Sequence, residues 1–226
     1  MAQAPKKTRI STKRGTPFTN QTAVFDLPDV PTNEITNLSN SKPAIATSLA
    51  HGLSTSDAIW IESETNSAIN GYYLVSVNTE DSFAVIGLNG EDLGTITDAK
   101  FTKLIRYPFC DATSIKISPI KTTEKDVTTN CDEDPVTEVQ KESGTISMSG
   151  LWMPDKKVQD FLEEMAEATE TIFLTVKPKK SKTLRGYQGK ITSFDQDGKS
   201  GDLWQFSIEL KIVGRQRKLD TTSGVI

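Results

Sequence analysis

The spacing of apolar positions changes twice between residues 144 and 176. Residues 144–149 alternate, with Ile146 and Met148 on one face, and this period predicts a strand. A three- and four-residue spacing follows, which is typical of one face of an amphipathic helix. The residues with that spacing are Val158, Phe161, Leu162, Met165 and Ala166. Because proline suits a first helical turn, Pro154 places the predicted helix at 154–168.

Short alternating segments separated by turn signals make up most of the remaining chain. The segments 58–61, 72–77 and 82–86 are examples, and spacing of this kind predicts a small β-barrel or β-sandwich. The longest alternation, at 204–212, predicts a strand with one face on a core and the other in water. No second convincing helix is evident. We therefore predict an all-β fold with one α-helix that caps an open edge or end.

Four segments depart from this pattern. Residues 23–27 predict a short strand that lies at an edge or turns a corner, because Pro28 and Pro31 follow it. Residues 122–142 show no core pattern and are longer than a routine loop. We interpret residues 215–226 as a polar C-terminal tail. Residues 1–24 are interpreted as a flexible arm that is basic through Lys6, Lys7, Arg9, Lys13 and Arg14.

Charge and composition exclude some classes of protein. The net charge of −4 argues against a general nucleic-acid binder, although the basic arm is compatible either with an acidic or nucleic-acid partner or with a solvated tail. The N-terminus lacks the apolar core of a signal peptide, and no apolar stretch approaches the roughly 20 residues of a membrane span. We therefore expect synthesis in a cytoplasm without membrane insertion. Cys110 and Cys131 form no CxxC pair, which favours two free thiols.

No constellation in the sequence predicts catalysis, a metal or a cofactor. The single histidine, His51, lies in a turn cluster, which favours a local structural role. Asp132, Glu133 and Asp134 are adjacent acids without the alternating spacing of a calcium loop. The glycine-rich segment 87–94 has no lysine and no following helix, so it is not a phosphate loop. The prediction is a protein that is not an enzyme.

An ordered series of motifs between residues 110 and 214 resembles the major tail tube proteins of long-tailed, lambda-like bacteriophages. A strand at 115–118 precedes Asp-Val-Thr-Thr at 126–129. Gly-Thr-Ile-Ser-Met-Ser-Gly-Leu-Trp at 144–152 leads into the helix. Gly-Lys-Ile-Thr-Ser-Phe at 189–194 and the terminal strand ending at Gly214 complete the series. The resemblance implies a tail-tube β-sandwich or open barrel.

Residues 34–98 resemble a second unit, a small β module found inside phage structural proteins and similar to a β domain of ubiquitin-activating enzymes. The likeness is one of fold, and no catalytic cysteine is carried over. The module would interrupt a tail tube domain made of residues 25–33 and 99–214. We expect it on the outside of a tube, because inside it would block the channel.

The resemblance further implies hexameric rings that stack into a tube through which phage DNA passes without sequence-specific binding. Its partners would be other copies of the chain, the tail tip and tape measure proteins, and the tail terminator, all within the virion tail. The 122–142 loop would reach the adjacent ring, through Glu124, Lys125, Asp126, Asp132, Glu133 and Asp134. The basic arm would order on stacking, and wall carboxylates would repel DNA.

Two other interpretations remain open at this level. One is a monomeric β-sandwich recognition or adhesion module that binds a host-surface glycan or receptor. The other is a different tail component of the same fold, such as a tube terminator or a sheath-associated tube protein.

Overall fold

The computed structural model describes residues 21–28, 32–91, 93–94, 96, 98–118, 121–126, 137–153, 156–178, 181–198 and 203–221. The described strands run in the following order along the chain. They are β1 Gln21–Asp26, β2 Asn33–Glu34, β3 Asn37–Leu38, β4 Ala44–Thr47, β5 Ala58–Glu62, β6 Gly71–Thr79, β7 Ser82–Ile86, β8 Lys100–Lys103, β9 Ile105–Pro108, β10 Ala112–Ser118, β11 Lys121–Asp126, β12 Thr137–Glu142, β13 Thr145–Leu151, β14 Thr171–Lys177, β15 Thr183–Asp197, β16 Gln205–Ile212 and β17 Arg217–Asp220. The helix α1 spans Lys157–Ala168, and a short 3₁₀ helix spans Ser67–Ile69.

The strands form three antiparallel sheets, which confirms the predicted all-β class with one α-helix. The large sheet has the order β10-β13-β16-β15-β14-β1-β9, with β17 also paired to β15. A second sheet has the order β2-β8-β5-β6-β7-β4-β3, and β11 pairs only with β12. Strands β4, β13 and β16 alternate between buried and more exposed residues, so the period seen in the sequence matches the sheets at these strands.

One face of the large sheet curls around a single core. Residues from both ends of the sheet share this core, including Val24 in β1 and Ile208 in β16. Phe109, which follows β9, packs its ring 5.4 Å from that of Phe206 in β16. A flat sheet would hold these strands far apart, so the sheet closes back on itself like a sandwich.

Helix α1 covers the open side of this core through the face that the sequence predicts. Val158, Phe161 and Leu162 are buried, and Phe161 packs on Tyr107 of β9. The helix begins at Lys157 rather than at 154, with Lys156 as its N-cap, and residues 154–155 lie outside the described part of the chain. It ends at Ala168, and the C-cap residue Thr169 has a left-handed backbone and an N–H that bonds to carbonyls of the last turn.

The second sheet has its own core and is fastened to the large sheet by a third apolar layer. That layer combines Phe25, Phe173 and Leu219 of the large sheet with Ala58 and Leu74 of the second. Tyr72 of β6 stacks on Phe173 at 5.7 Å and donates a hydrogen bond to the Thr171 carbonyl. The Arg217 guanidinium lies 4.8 Å from the centre of the Tyr73 ring. The two sheets are therefore joined by packing as well as by the chain.

The position of strand β1 differs from the predicted edge position of residues 23–27. It is not at an edge, because β14 pairs on one side of it and β9 on the other. It ends at Asp26, before Pro28, so the following proline interrupts neither ladder. The edge position belongs to β9, which itself ends in Pro108.

Two further assignments also change. Part of the predicted C-terminal tail, Arg217–Asp220, pairs with β15 and buries Leu219. Leu219 is the only apolar residue of this four-residue strand, so the sequence there shows no alternation from which a strand could be predicted. Lys100–Lys103 pairs with β5 in the second sheet, although the predicted domain division placed residues from 99 onward in the other unit. Chain order does not show which sheet a connecting strand will join.

Candidate assembly surfaces

Four neighbouring strands of the large sheet, β10, β13, β16 and β15, present a polar face to solvent. The opposite face of the same strands carries Ile146, Met148, Ile208 and Leu210 into the core. Cross-strand pairing arranges the residues of the polar face in four rows, each of which runs across the strands. From one end of the strands to the other, the rows are Leu151, Gln205 and Asp197; then Ser114, Ser149, Ser207 and Asp195; then Lys116, Ser147, Glu209 and Ser193; then Ser118, Thr145, Lys211 and Lys190. Small hydroxyl side chains therefore dominate this face.

Charge on the polar face is separated along the strands. Asp195 and Asp197 occupy the two rows at one end, and Lys190 and Lys211 face each other in the row at the other end. Lys116 and Glu209 lie in the row between. The face carries equal numbers of acids and lysines, all exposed. It lacks the acidic excess that the charge of the whole chain suggested.

Both sides of this four-stranded section have open edges within the described residues. Strand β10 pairs with β13 only, so its outer side is an edge along Ala112–Ser118. Strand β14 pairs with β15 only from Arg185 to Lys190, so residues 191–197 of β15 have β16 on one side only. A groove lined by Glu163 and Glu167 of α1 runs beside this second edge. Unpaired edges are templates for another strand.

Strands β11 and β12 form a hairpin arm, defined as Lys121–Asp126 and Thr137–Glu142. Ser118 pairs with Thr145, and three residues further along, Lys121 pairs with Glu142. The register is unchanged, so the arm continues the β10–β13 pair beyond the large sheet. From Lys121 to Asp126 the first strand of the arm covers roughly 17 Å. The predicted 122–142 loop is thus partly strand, and it showed no core pattern because the arm lies outside both large sheets.

The predicted site residues divide between described and undescribed segments. Glu124, Lys125 and Asp126 lie in β11. The tip residues Asp132, Glu133 and Asp134 lie outside the described residues, as do Lys6, Lys7, Arg9, Lys13 and Arg14 of the basic arm. Cys110 is a free, exposed cysteine, and Cys131 lies outside the described part.

The end of the polar face opposite the arm carries an exposed apolar patch, defined as Met153, Leu203 and Trp204. Their side chains are 38%, 71% and 53% exposed. The patch is fixed by the corner beneath it, where Trp152 N–H donates to the Trp204 carbonyl at 2.8 Å. Sequence reasoning missed this patch because it assigned Trp204 to the core face of the last strand.

The buried Gln159 of α1 secures the same corner. Its Oε1 accepts a hydrogen bond from Met153 N–H at 2.9 Å, and its Nε2 donates to the Leu151 carbonyl at 3.1 Å. The side chain is only 1% exposed. It therefore connects the first turn of the helix to the end of β13.

Titratable groups away from these surfaces serve local structure. His51 Nδ1 accepts a hydrogen bond from Leu53 N–H, and its Nε2 lies 3.1 Å from the Thr79 carbonyl, as the predicted turn role requires. Hydrogen bonds, led by those from Thr65, lower the pKa of Asp98 far below its ordinary value. Among the described residues, no cluster of His, Cys, Asp and Glu is suited to a metal ion. No described helix is long and apolar enough to cross a membrane.

Comparison with known proteins places the chain in a family. No curated protein matches the sequence significantly. One chain of the six-fold symmetrised cryo-EM structure of the anti-feeding prophage baseplate is similar, at 12% identity over 53% of this chain and 86% of that chain, with a TM-score of 0.33. The profile of the family described as phage tail tube protein matches residues 95–218, more than half of the chain. The chain therefore belongs to the phage tail tube protein family and is a structural component of a phage tail.

Proposed function

We propose that this protein forms hexameric rings that stack into a tail tube, and that the lumen of this tube conducts phage DNA from virion to host. The observation that carries the proposal is the four-stranded section with an open edge on each side. A neighbouring copy is well suited to fill both edges, because its own section offers the opposite edge. Six copies related by rotation would then close into one barrel.

Strand direction supports this joint. Each strand in the section β10-β13-β16-β15 is antiparallel to the next. Strand β10 therefore runs opposite to β15, and rotation about the ring axis keeps that relation between neighbours. The joint between β10 of one copy and residues 191–197 of the next would be an ordinary antiparallel ladder, which pairs the open N–H and C=O groups of both edges.

The polar face is the part of this wall suited to a DNA channel. Serine and threonine side chains are short, and they offer DNA only weak, sequence-independent contacts. Acids and lysines balance on the face, so no extended basic surface is present to hold phosphate. The proposed wall would thus be largely neutral, and repulsion of DNA by wall carboxylates would contribute less than the charge of the whole chain suggests.

The second sheet would then decorate the outside of the tube. It packs on the half of the large sheet formed by β1, β14 and β17, through Phe25, Phe173 and Leu219. The polar face belongs to the other half, across the core. With the polar face toward the lumen, the second sheet points outward and leaves the channel open. We propose that it corresponds to the predicted module inserted in the tube domain, similar to the β domain of ubiquitin-activating enzymes.

The hairpin arm and the N-terminal arm would connect successive rings. The β-hairpin extends the channel-lining strands along their own direction, which has a large axial component in a barrel of tilted strands. Its tip residues, including Asp132, Glu133 and Asp134, would reach the next ring with the basic N-terminal residues. The partners of the tube would be the tail tip, tape measure and terminator proteins. The tail would be of the lambda-like kind, with its subunits made in the host cytoplasm.

Electron microscopy of the purified protein, before and after concentration, tests this proposal. We expect six-fold rings or uniform hollow tubes. Deleting residues 124–135 removes Glu124–Asp126 of the arm and most of the segment that connects its two strands, so the variant is expected to form rings without extended tubes. Tubes of normal length from this deletion would contradict the connecting role of the arm.

The recognition-module alternative predicts a different result. An exposed tryptophan such as Trp204 is the feature that would suit a glycan. That alternative requires a monomer at every concentration and binding in a glycan or cell-surface screen. Such a result would overturn the tube proposal.

A further inference from the structure

The row of lysines at one end of the polar face is unfavourable in an isolated subunit. Lys190 and Lys211 are direct cross-strand partners, and both are exposed. Like charges in directly opposed positions destabilise a sheet. A carboxylate brought to this end from outside the subunit would relieve the repulsion.

The opposite end of the same four strands offers carboxylates next to the apolar patch. Asp195 and Asp197 occupy the last two rows there, and Met153, Leu203 and Trp204 lie just beyond. Large apolar side chains, tryptophan and methionine especially, are enriched in protein interfaces and costly to leave in water.

Contacts hold the Trp204 ring and the backbone next to the patch in place. The Trp204 indole lies against the backbone of Gly198, where an added Cβ would be only 2.5 Å from ring atoms. The hydrogen bond between Trp152 and Trp204 and the two bonds of Gln159 fix the surrounding backbone. Little conformational freedom would be lost on binding.

We propose that the apolar and acidic end of one subunit docks on the lysine end of a second copy of this chain, stacked head-to-tail along the strand direction. This inference rests on the proposed tube and names the surfaces that join its rings. A translation along the strands brings Asp195 and Asp197 of one copy toward Lys190 and Lys211 of the next. It also brings the hairpin arm to the end that carries the apolar patch. Surfaces at opposite ends of one subunit produce a repeating contact.

Charge reversal tests the electrostatic half of this contact. In D195K/D197K, lysines would meet lysines between rings, and in K190D/K211D, acids would meet acids. We expect each double variant to yield at least tenfold less tube by sedimentation, and K190D/K211D, whose substitutions lie outside the ring joint, to retain rings. The variant with all four reversals restores opposite charges at the joint and is expected to recover tubes. Wild-type tubes should also shorten as salt is raised.

The apolar half is tested by Leu203→Ser, with Leu49→Ser as the matched control. Leu49 is even more exposed, at 82%, but lies in the turn after β4, away from the patch. We expect shorter tubes from the first variant and normal tubes from the second, with rings retained in both.

The outcomes separate the two proposals. If wild-type protein forms no rings or tubes, the proposed function itself is overturned. If wild-type tubes form and the double-reversal and Leu203→Ser variants form tubes of equal yield and length, only the docking surface is overturned. Failure of the four-fold reversal to recover tubes, with its rings intact, also contradicts the charge pairing.

Discussion

Single residues fix the approach of neighbouring strands in the large sheet. Gly150 of β13 lies beside the backbone of Asp111 and Ala112, and its Cα faces the Phe206 ring. A Cβ at this position would overlap the Asp111 carbonyl oxygen and lie 2.8 Å from Phe206 Cε1. The absence of a side chain here is therefore a packing requirement.

Gly150→Ala should destabilise the protein by about 1–3 kcal/mol, because overpacking a close-packed site forces backbone shifts. Urea denaturation measures the change in the free energy of unfolding. Ser149→Ala, at the half-exposed neighbour, is the control and should change this energy by less than about 0.5 kcal/mol. Equal effects from the two substitutions would contradict the packing argument.

Two tyrosines at the junction of the sheets make stability sensitive to alkaline pH. Burial raises the pKa of Tyr72, with a further contribution from the Glu170 carboxylate. Burial also raises the pKa of Tyr73, although Arg217 opposes that shift. The unfolded phenols titrate near their ordinary pKa of 10, so above that pH the folded state binds more protons than the unfolded state.

The free energy of unfolding should therefore fall as the pH rises above 10. Below that pH the phenols are neutral in the folded and the unfolded state, so their contribution to stability is fully present. Denaturation between pH 8 and 11.5 measures this slope. The Y72F/Y73F variant loses two hydroxyl hydrogen bonds at every pH, but its slope above pH 10 should be shallower than that of the wild type. An unchanged slope would show that other groups cause the alkaline loss.

At the scale of elements, the strand-to-helix corner depends on one buried amide. Gln159→Leu keeps the side-chain volume similar but leaves Met153 N–H and the Leu151 carbonyl without their partner. We expect a loss of about 1–3 kcal/mol in the free energy of unfolding, measured by urea denaturation. Gln205→Leu, at an exposed position of β16, is the matched control. If Gln159→Leu lowers the free energy of unfolding no more than Gln205→Leu does, water takes over the hydrogen bonds of the amide and the argument is contradicted.

Elements with a buried face were predictable from the sequence, and those without one were not. Helix α1 and strand β16 show clear periods because each packs one face on the core. Strand β17 buries only one apolar residue, Leu219, and the hairpin arm and β17 are identified by their pairing in the structure. The separation of charge along the polar face could not be predicted, because it depends on the cross-strand register that brings together Asp195, Asp197, Lys190 and Lys211.

At the scale of the whole molecule, the outer surface of the curled sheet is divided between two roles. The β1–β14 half is covered by the second sheet through the apolar layer around Phe173. Among the described residues, the β10–β13–β16 half is polar and uncovered, and the outer side of β10 is an unpaired edge. A subunit in a closed barrel requires this arrangement, whereas open edges in a monomer invite aggregation.

The edge-to-edge joint is the central claim, and disulfide trapping tests it most directly. In a C110S/C131S background, Lys116→Cys in β10 is combined in turn with Ser193→Cys and with Asp195→Cys in β15. Cross-strand neighbours are close enough for a disulfide. We expect oxidation of assembled protein to give, for at least one pair, a ladder of covalent multimers that ends at six on a non-reducing gel. Lys116→Cys paired with Lys42→Cys, in the bend just before β4 of the second sheet, should give none. Tubes that form normally but yield no β10–β15 multimers would contradict the account.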